Sequence, residues 1–170
     1  MAISESKNGL IATSSITNVY AHTVPAATTS GTDTFGVVDN SMFVTAITLP
    51  CNMTITGISY LIGSVGGTDK AIAVLFDSAG NPLAWSAIAG TTVGTTATMQ
   101  HLAFITPYVA SGPGLYFVGI QLNGGTAKIR TQVFGDHPAA VFPTLTFGAP
   151  AAIVPPTTFT ASKGPICCTY

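Results

Sequence analysis

Between residues 35 and 134 the sequence is a series of short β-branched and aromatic runs, each ended by a turn signal, with no helical stretch. Residues 35–38 and 42–49 are two such runs, parted by Asp39-Asn40. Residues 53–62 follow, and their apolar parity changes from Met53 and Ile55 to Ile58, Tyr60 and Ile62 at Gly57, which predicts a β-bulge there. In residues 70–77 Ile72, Val74 and Phe76 share one face and Ala71, Ala73 and Leu75 the other, so this strand is expected to be central and covered on both sides. Residues 78–81 then turn the chain tightly, and residues 82–87 return as the second arm of a hairpin. Residues 99–106 place Leu102 and Phe104 inward, and residues 115–122 set Tyr116, Val118, Ile120 and Leu122 on one face. Asn123-Gly124 predicts a second hairpin, answered by residues 126–133 with Ala127, Ile129 and Val133 in and Lys128, Arg130 and Gln132 out.

About eight strands at this spacing predict an all-β chain: a jelly-roll-like antiparallel β-sandwich. An immunoglobulin-type sandwich is the alternative, although Trp85 has no flanking cysteine pair. No repeat of 20–50 residues is evident. Three zones follow: an N-terminal arm over 1–34, the sandwich over 35–134, and a proline-rich C-terminal arm over 135–170. The last zone holds Pro138, Pro143, Pro150, Pro155, Pro156 and Pro165, which forbid a helix and disfavour central strands.

Charge is the second constraint. Only 6% of residues are charged, against about 25% in ordinary soluble domains, and the mean hydropathy is +0.53. A neutral, Thr-rich exterior suits a surface that neighbours will cover. Five basic residues, Lys7, Lys70, Lys128, Arg130 and Lys163, are scattered, whereas nucleic-acid binding needs clustered cations. Apolar runs are of strand length, too short for the roughly 20 residues of a spanning helix, and the first ten residues lack a secretory apolar region. Nucleic acid, membrane and secretion are therefore not expected, and folding is expected in a reducing cytoplasm.

The arms carry apolar side chains that need a surface. The C-terminal strip holds Phe142, Phe147, Phe159 and Tyr170, and the N-terminal arm holds Val19 and Tyr20. Either the strip packs on its own sandwich or it lies on another subunit. These six residues are the expected interface.

Candidate chemistry is sparse. Cys51, Cys167 and Cys168 are an odd count with an adjacent pair, unlike a disulfide framework. His22, His101 and His137 lack metal-motif spacing, so no metal and no cofactor is expected. Asp69 and Asp77 flank one strand and lie too far apart for a glycosidase pair. Asp77 reads as a turn former, although Asp39-Asn40 and Asp77 with Asn81 are the loops that could offer oxygen to calcium. No serine elbow or phosphate loop is present. Trp85, Tyr60 and Tyr108 are the aromatic platforms available to a sugar; the other reading packs Trp85 at a sandwich edge.

Residues 55–130 resemble a jelly-roll module of tailed-phage virion proteins. The resemblance rests on Thr54-Ile55-Thr56-Gly57-Ile58, on the strand at 70–76 with Asp77-Ser78-Ala79-Gly80-Asn81-Pro82-Leu83-Ala84, and on Phe104-Ile105-Thr106-Pro107-Tyr108. Gly112-Pro113-Gly114-Leu115-Tyr116-Phe117-Val118 completes it. No catalytic residue travels with this module. The resemblance implies a structural virion protein assembled in the host cytoplasm: a capsid decoration (cement) protein that clamps across major capsid protein subunits, as a dimer or trimer. A tail fibre, tailspike or carbohydrate-binding receptor module is the alternative, and a hydrolase the third class.

Overall fold

The computed structural model describes residues 21–22, 32–35, 41–65, 67–133 and 137–170. Among them the regular elements are all strands: β1 (Ala21–His22), β2 (Thr32–Phe35), β3 (Met42–Leu49), β4 (Met53–Leu61), β5 (Lys70–Phe76) and β6 (Pro82–Trp85). They continue with β7 (Thr91–Thr92), β8 (Met99–Ala110), β9 (Gly114–Leu122), β10 (Lys128–Thr131), β11 (Ala139–Phe142) and β12 (Cys167–Thr169). One sheet has the order β1-β12-β4-β8, a second runs β11-β3-β9-β5-β6 with β7 also on β5, and β10 pairs β2. All pairings are antiparallel. The expected all-β sandwich is what the chain forms.

The two larger sheets enclose the main core. Phe43, Ile47 and Leu49 of β3, Leu75 of β5 and Val118, Ile120 and Leu122 of β9 pack with Ile55, Ile58 and Tyr60 of β4 and Leu102 and Phe104 of β8. An isolated bridge between Ser86 and Phe104 ties the β6 edge of one sheet to the β8 edge of the other. The bulge expected at Gly57 is present, as the β4–β8 register shifts between Ile55 and Gly57.

Strand β5 is buried on both faces, as its pattern requires. Ala71, Ala73 and Leu75 face the main core, while Ile72, Val74 and Phe76 join Met42, Val44, Ala46 and Phe117 on the outer face of their sheet. The cover over that face comes from the proline-rich C-terminal segment. Ile153 is buried there, and Phe142, Leu145 and Phe147 are half-buried against it. The molecule thus has a third layer, supplied by its own chain.

Two expectations need correction. Asn123-Gly124 does not close a hairpin, because β9 pairs β3 and β5 while β10 pairs β2. The loop is instead fastened to the start of β5: Lys70 N–H donates to Asn123 Oδ1 at 2.6 Å, and Asn123 N–H to the Lys70 carbonyl at 3.0 Å. Asp69 Oδ2 accepts the N–H groups of Thr126 at 2.8 Å and Ala127 at 2.7 Å. With these donors taken, the chain crosses to the end of β4, where Ile129 bridges Ile62. Ala127 and Ile129 are buried as expected; Gln132, expected outside, is buried as well, and Val133 is half-buried.

Residues 135–170 join the sheets as well. This zone contributes β11 to the edge of the larger sheet and β12 to the interior of the smaller one. Its prolines fall outside both strands, so neither ladder loses a donor.

Candidate binding surface

The expected interface residues occupy three kinds of place. Val19 and Tyr20 lie outside the described residues. Phe142 ends β11 and, with Phe147, packs on the outer-face cluster; the Phe147 ring lies against Gly90. Phe159 is half-buried. Tyr170 extends the β12 ladder: its carbonyl oxygen accepts from Thr56 N–H at 2.7 Å and from Thr56 Oγ1 at 3.1 Å. Its ring lies where a β-carbon on Gly57 would fall, and meets the His101 ring edge-on with centroids 5.7 Å apart. Of the two arrangements left open by the sequence, the C-terminal strip adopts the one on its own sandwich.

The segment is held at defined points. Gln121, 1% exposed in the middle of the larger sheet, donates from Nε2 to the Leu145 carbonyl at 2.9 Å. Ile153 N–H donates to the Gly80 carbonyl at 3.0 Å, and Ala139 N–H to that of Thr158 at 3.0 Å. Residues 143–157 therefore cross the sheet to the β5–β6 turn and return to β11.

The three sugar-platform candidates do not converge. Tyr60 points into the main core at 0% exposure, its hydroxyl donating to Gln100 Oε1 at 2.9 Å, so neither ring face is open to a ligand. Burial pushes its phenol above the ordinary range. Trp85 is half-buried against the outer-face cluster, and Tyr108 is half-buried beside Tyr116 with ring centroids 6.5 Å apart. The parity that put Tyr60 with Ile58 and Ile62 was the signal that it belonged to the core.

Ser59, Cys167 and Cys168 are buried, whereas Cys51 and His101 are exposed. Ser59 Oγ is hydrogen-bonded to His101 Nδ1, and a serine–histidine pair is where a nucleophilic site would start. Ser59, however, has 0% exposure, so its hydroxyl cannot reach a substrate. Cys168 lies beside it in the β4–β12 ladder, and burial pushes its thiol up to about 11, so it stays protonated at neutral pH. Cys167 is buried and Cys51 exposed. Among the described residues no cluster of His, Cys, Asp and Glu has metal-binding proximity. Asp77 holds its own turn: Oδ1 accepts from Ala79 N–H at 2.9 Å and Asn81 N–H at 2.8 Å, and Oδ2 from Asn81 Nδ2 at 2.9 Å. The Asn81 side chain holds the carboxyl below its usual value, with the backbone donors adding to it. Asp39-Asn40 lies outside the described residues.

What remains is surface. Strands β4 and β8 contain no Asp, Glu, Lys or Arg. Thr54 and Thr56 of β4 and His101, Ala103, Ile105 and Val109 of β8 are exposed, Ile105 at 63% and Val109 at 71%. Ile105 and Val109 are the large apolar side chains that this uncharged strand pair leaves exposed. Both strands are legible in the sequence, and the absence of charge along them is its available signal for this surface. No family model, curated protein or solved structure matches the chain.

Proposed function

We propose that this chain is a non-enzymatic structural protein of a tailed-phage virion, acting as a decoration protein that docks across capsid subunits. The observation that carries the reading is the order of the eight main strands, β1-β12-β4-β8 facing β3-β9-β5-β6. It supports the jelly-roll reading on which the phage-module resemblance rests. Low charge supports a body that is largely covered in its assembly. With the C-terminal strip lying on its own sheet, docking in this reading falls to the uncharged β4–β8 surface and to residues 1–20, which precede β1. Many weak contacts linked on one particle then add through high local concentration.

The carbohydrate-binding tail module stays as the second reading, on the strength of half-buried Trp85 and Tyr108. Purified particles carrying the protein, imaged by cryo-electron microscopy, separate the two. The decoration reading expects density at junctions between capsid subunits. Density confined to the tail supports the second reading, and absence from the particle rejects both.

A further inference from the structure

We infer that β12 is a latch: its seating decides whether β1 is held on the body, so the two ends of the chain open together. Residues 162–169 run as a seam between strands that are otherwise separate. Ser162 N–H donates to the Gln132 carbonyl at 2.8 Å, Gln132 N–H to that of Gly164 at 2.8 Å and Ile166 N–H to that of Arg130 at 3.0 Å, so the seam first borders β10. It then enters the smaller sheet. Leu61 N–H donates to the Ile166 carbonyl at 2.9 Å, and Cys167, Cys168 and Thr169 pair Tyr60, Ser59 and Ile58 of β4. On the other side Cys168 and Thr169 pair His22 and Ala21 of β1.

Among the described residues β12 is the one strand that β1 pairs with, and Ala21 brings only a methyl group to the main core. Strand β2 is held independently. Its partner β10 is fixed to the body by Lys128, whose carbonyl accepts from Gly63 N–H at 2.8 Å and whose N–H donates to the Ser64 carbonyl at 2.9 Å, and by the Ile129–Ile62 bridge. Unseating β12 therefore frees β1 and leaves β2 in place, which shifts the first ladder contact of the chain from Ala21 to Thr32, at most about 40 Å of extended chain. The latch itself is short, three residues. Thr169 Oγ1 is buried in it with no hydrogen-bond partner among the described residues, which lowers its hold. A short, imperfectly satisfied element opens before the body does. On the capsid reading this sets the reach of residues 1–20; the coupling itself rests on the ladders alone.

Residue-resolved hydrogen exchange of the full chain, followed by NMR, is the test. In wild type the ladder amides of β1 and β12 are expected to exchange at a common rate, faster than those of β3 and β9. Cys168→Glu sets a charge at a site 2% exposed and is expected to unseat β12, raising exchange in β1 at least about tenfold while β2 and β10 stay as in wild type. Thr169→Val removes the unpartnered hydroxyl and keeps the branched shape, and is expected to slow β1 and β12 together by about fivefold. If Cys168→Glu does not fold, Thr169→Val decides alone. Wild-type β1 amides without protection overturn the inference, as does a β1 that does not follow β12 in Thr169→Val. Acceleration in Cys168→Glu that β2, β10 and β3 share equally is general opening and also overturns it. Failure here leaves docking on a capsid protein intact, because that is read on particles and not on the isolated chain.

Discussion

Ile153 donates its backbone N–H to the carbonyl of Gly80 at 3.0 Å, and this bond fastens the proline-rich segment to the β5–β6 turn. Gly80 has φ +88°, and a β-carbon there would fall 2.1 Å from the Ile153 carbonyl oxygen. Gly80→Ala is thus penalised twice, by the left-handed backbone and by the collision. A loss of about 2 kcal/mol or more is expected in chemical denaturation, with the segment's amides around Ile153 exchanging faster than in wild type. An unchanged midpoint and unchanged exchange would contradict the docking described.

Asp69 decides where the chain goes after β9. Its Oδ2 takes the N–H groups of both Thr126 and Ala127. Asp69→Ala leaves two backbone donors without that acceptor, and a loss of about 2–3 kcal/mol is expected. Asp69→Asn keeps one acceptor oxygen and is expected to lose less. Urea titration of the pair checks the order.

Acid titration should report on the Asp77 turn. The Asn81 amide, foremost among its hydrogen-bond partners, lowers the Asp77 carboxyl below its unfolded value of 3.8. A depressed folded value means that the turn's contribution is complete above the unfolded value and is lost as pH falls through the folded one. Carbon-detected NMR of the carboxyl is expected to show an inflection below 3.8 in wild type. In Asn81→Ala the inflection is expected to move up toward that value. An inflection that does not move would remove Asn81 as the cause.

Thiol accessibility separates the three cysteines. Cys51 is exposed, while Cys167 and Cys168 are buried, Cys168 with its thiol pushed up to about 11 by that burial. A disulfide reagent at neutral pH is expected to titrate one thiol quickly in the folded chain and all three in denaturant. Cys51→Ser should abolish the fast phase. A second fast thiol would show that β12 is not seated between β1 and β4.

The strands of the middle zone were legible because each reports its own environment. Met42–Leu49 was read with the bounds it has, and the apolar parity of β5 announced cover on both sides before any cover was known. The parity change at Gly57 marked the bulge for the same reason: alternation is a local property of the pleat. Asn123-Gly124 misled because a turn signal fixes the direction of the chain and not its partner, and Asp69 and Lys70, more than fifty residues away, hold the loop. The candidate surface was half legible: the uncharged strands were in view, but exposure of Ile105 and Val109 depends on which strand ends the sheet.

The amino-acid sequence by itself determined that this chain folds as β-structure, which face of each long strand turns inward, and that its surface carries little charge. Tertiary structure alone decided the order of the strands, the seating of β12 inside a sheet, and the use of the proline-rich segment as a third layer. Backbone hydrogen bonds between strands are blind to sequence distance, so pairing is settled by which apolar faces can be enclosed together, and that is a property of the whole chain.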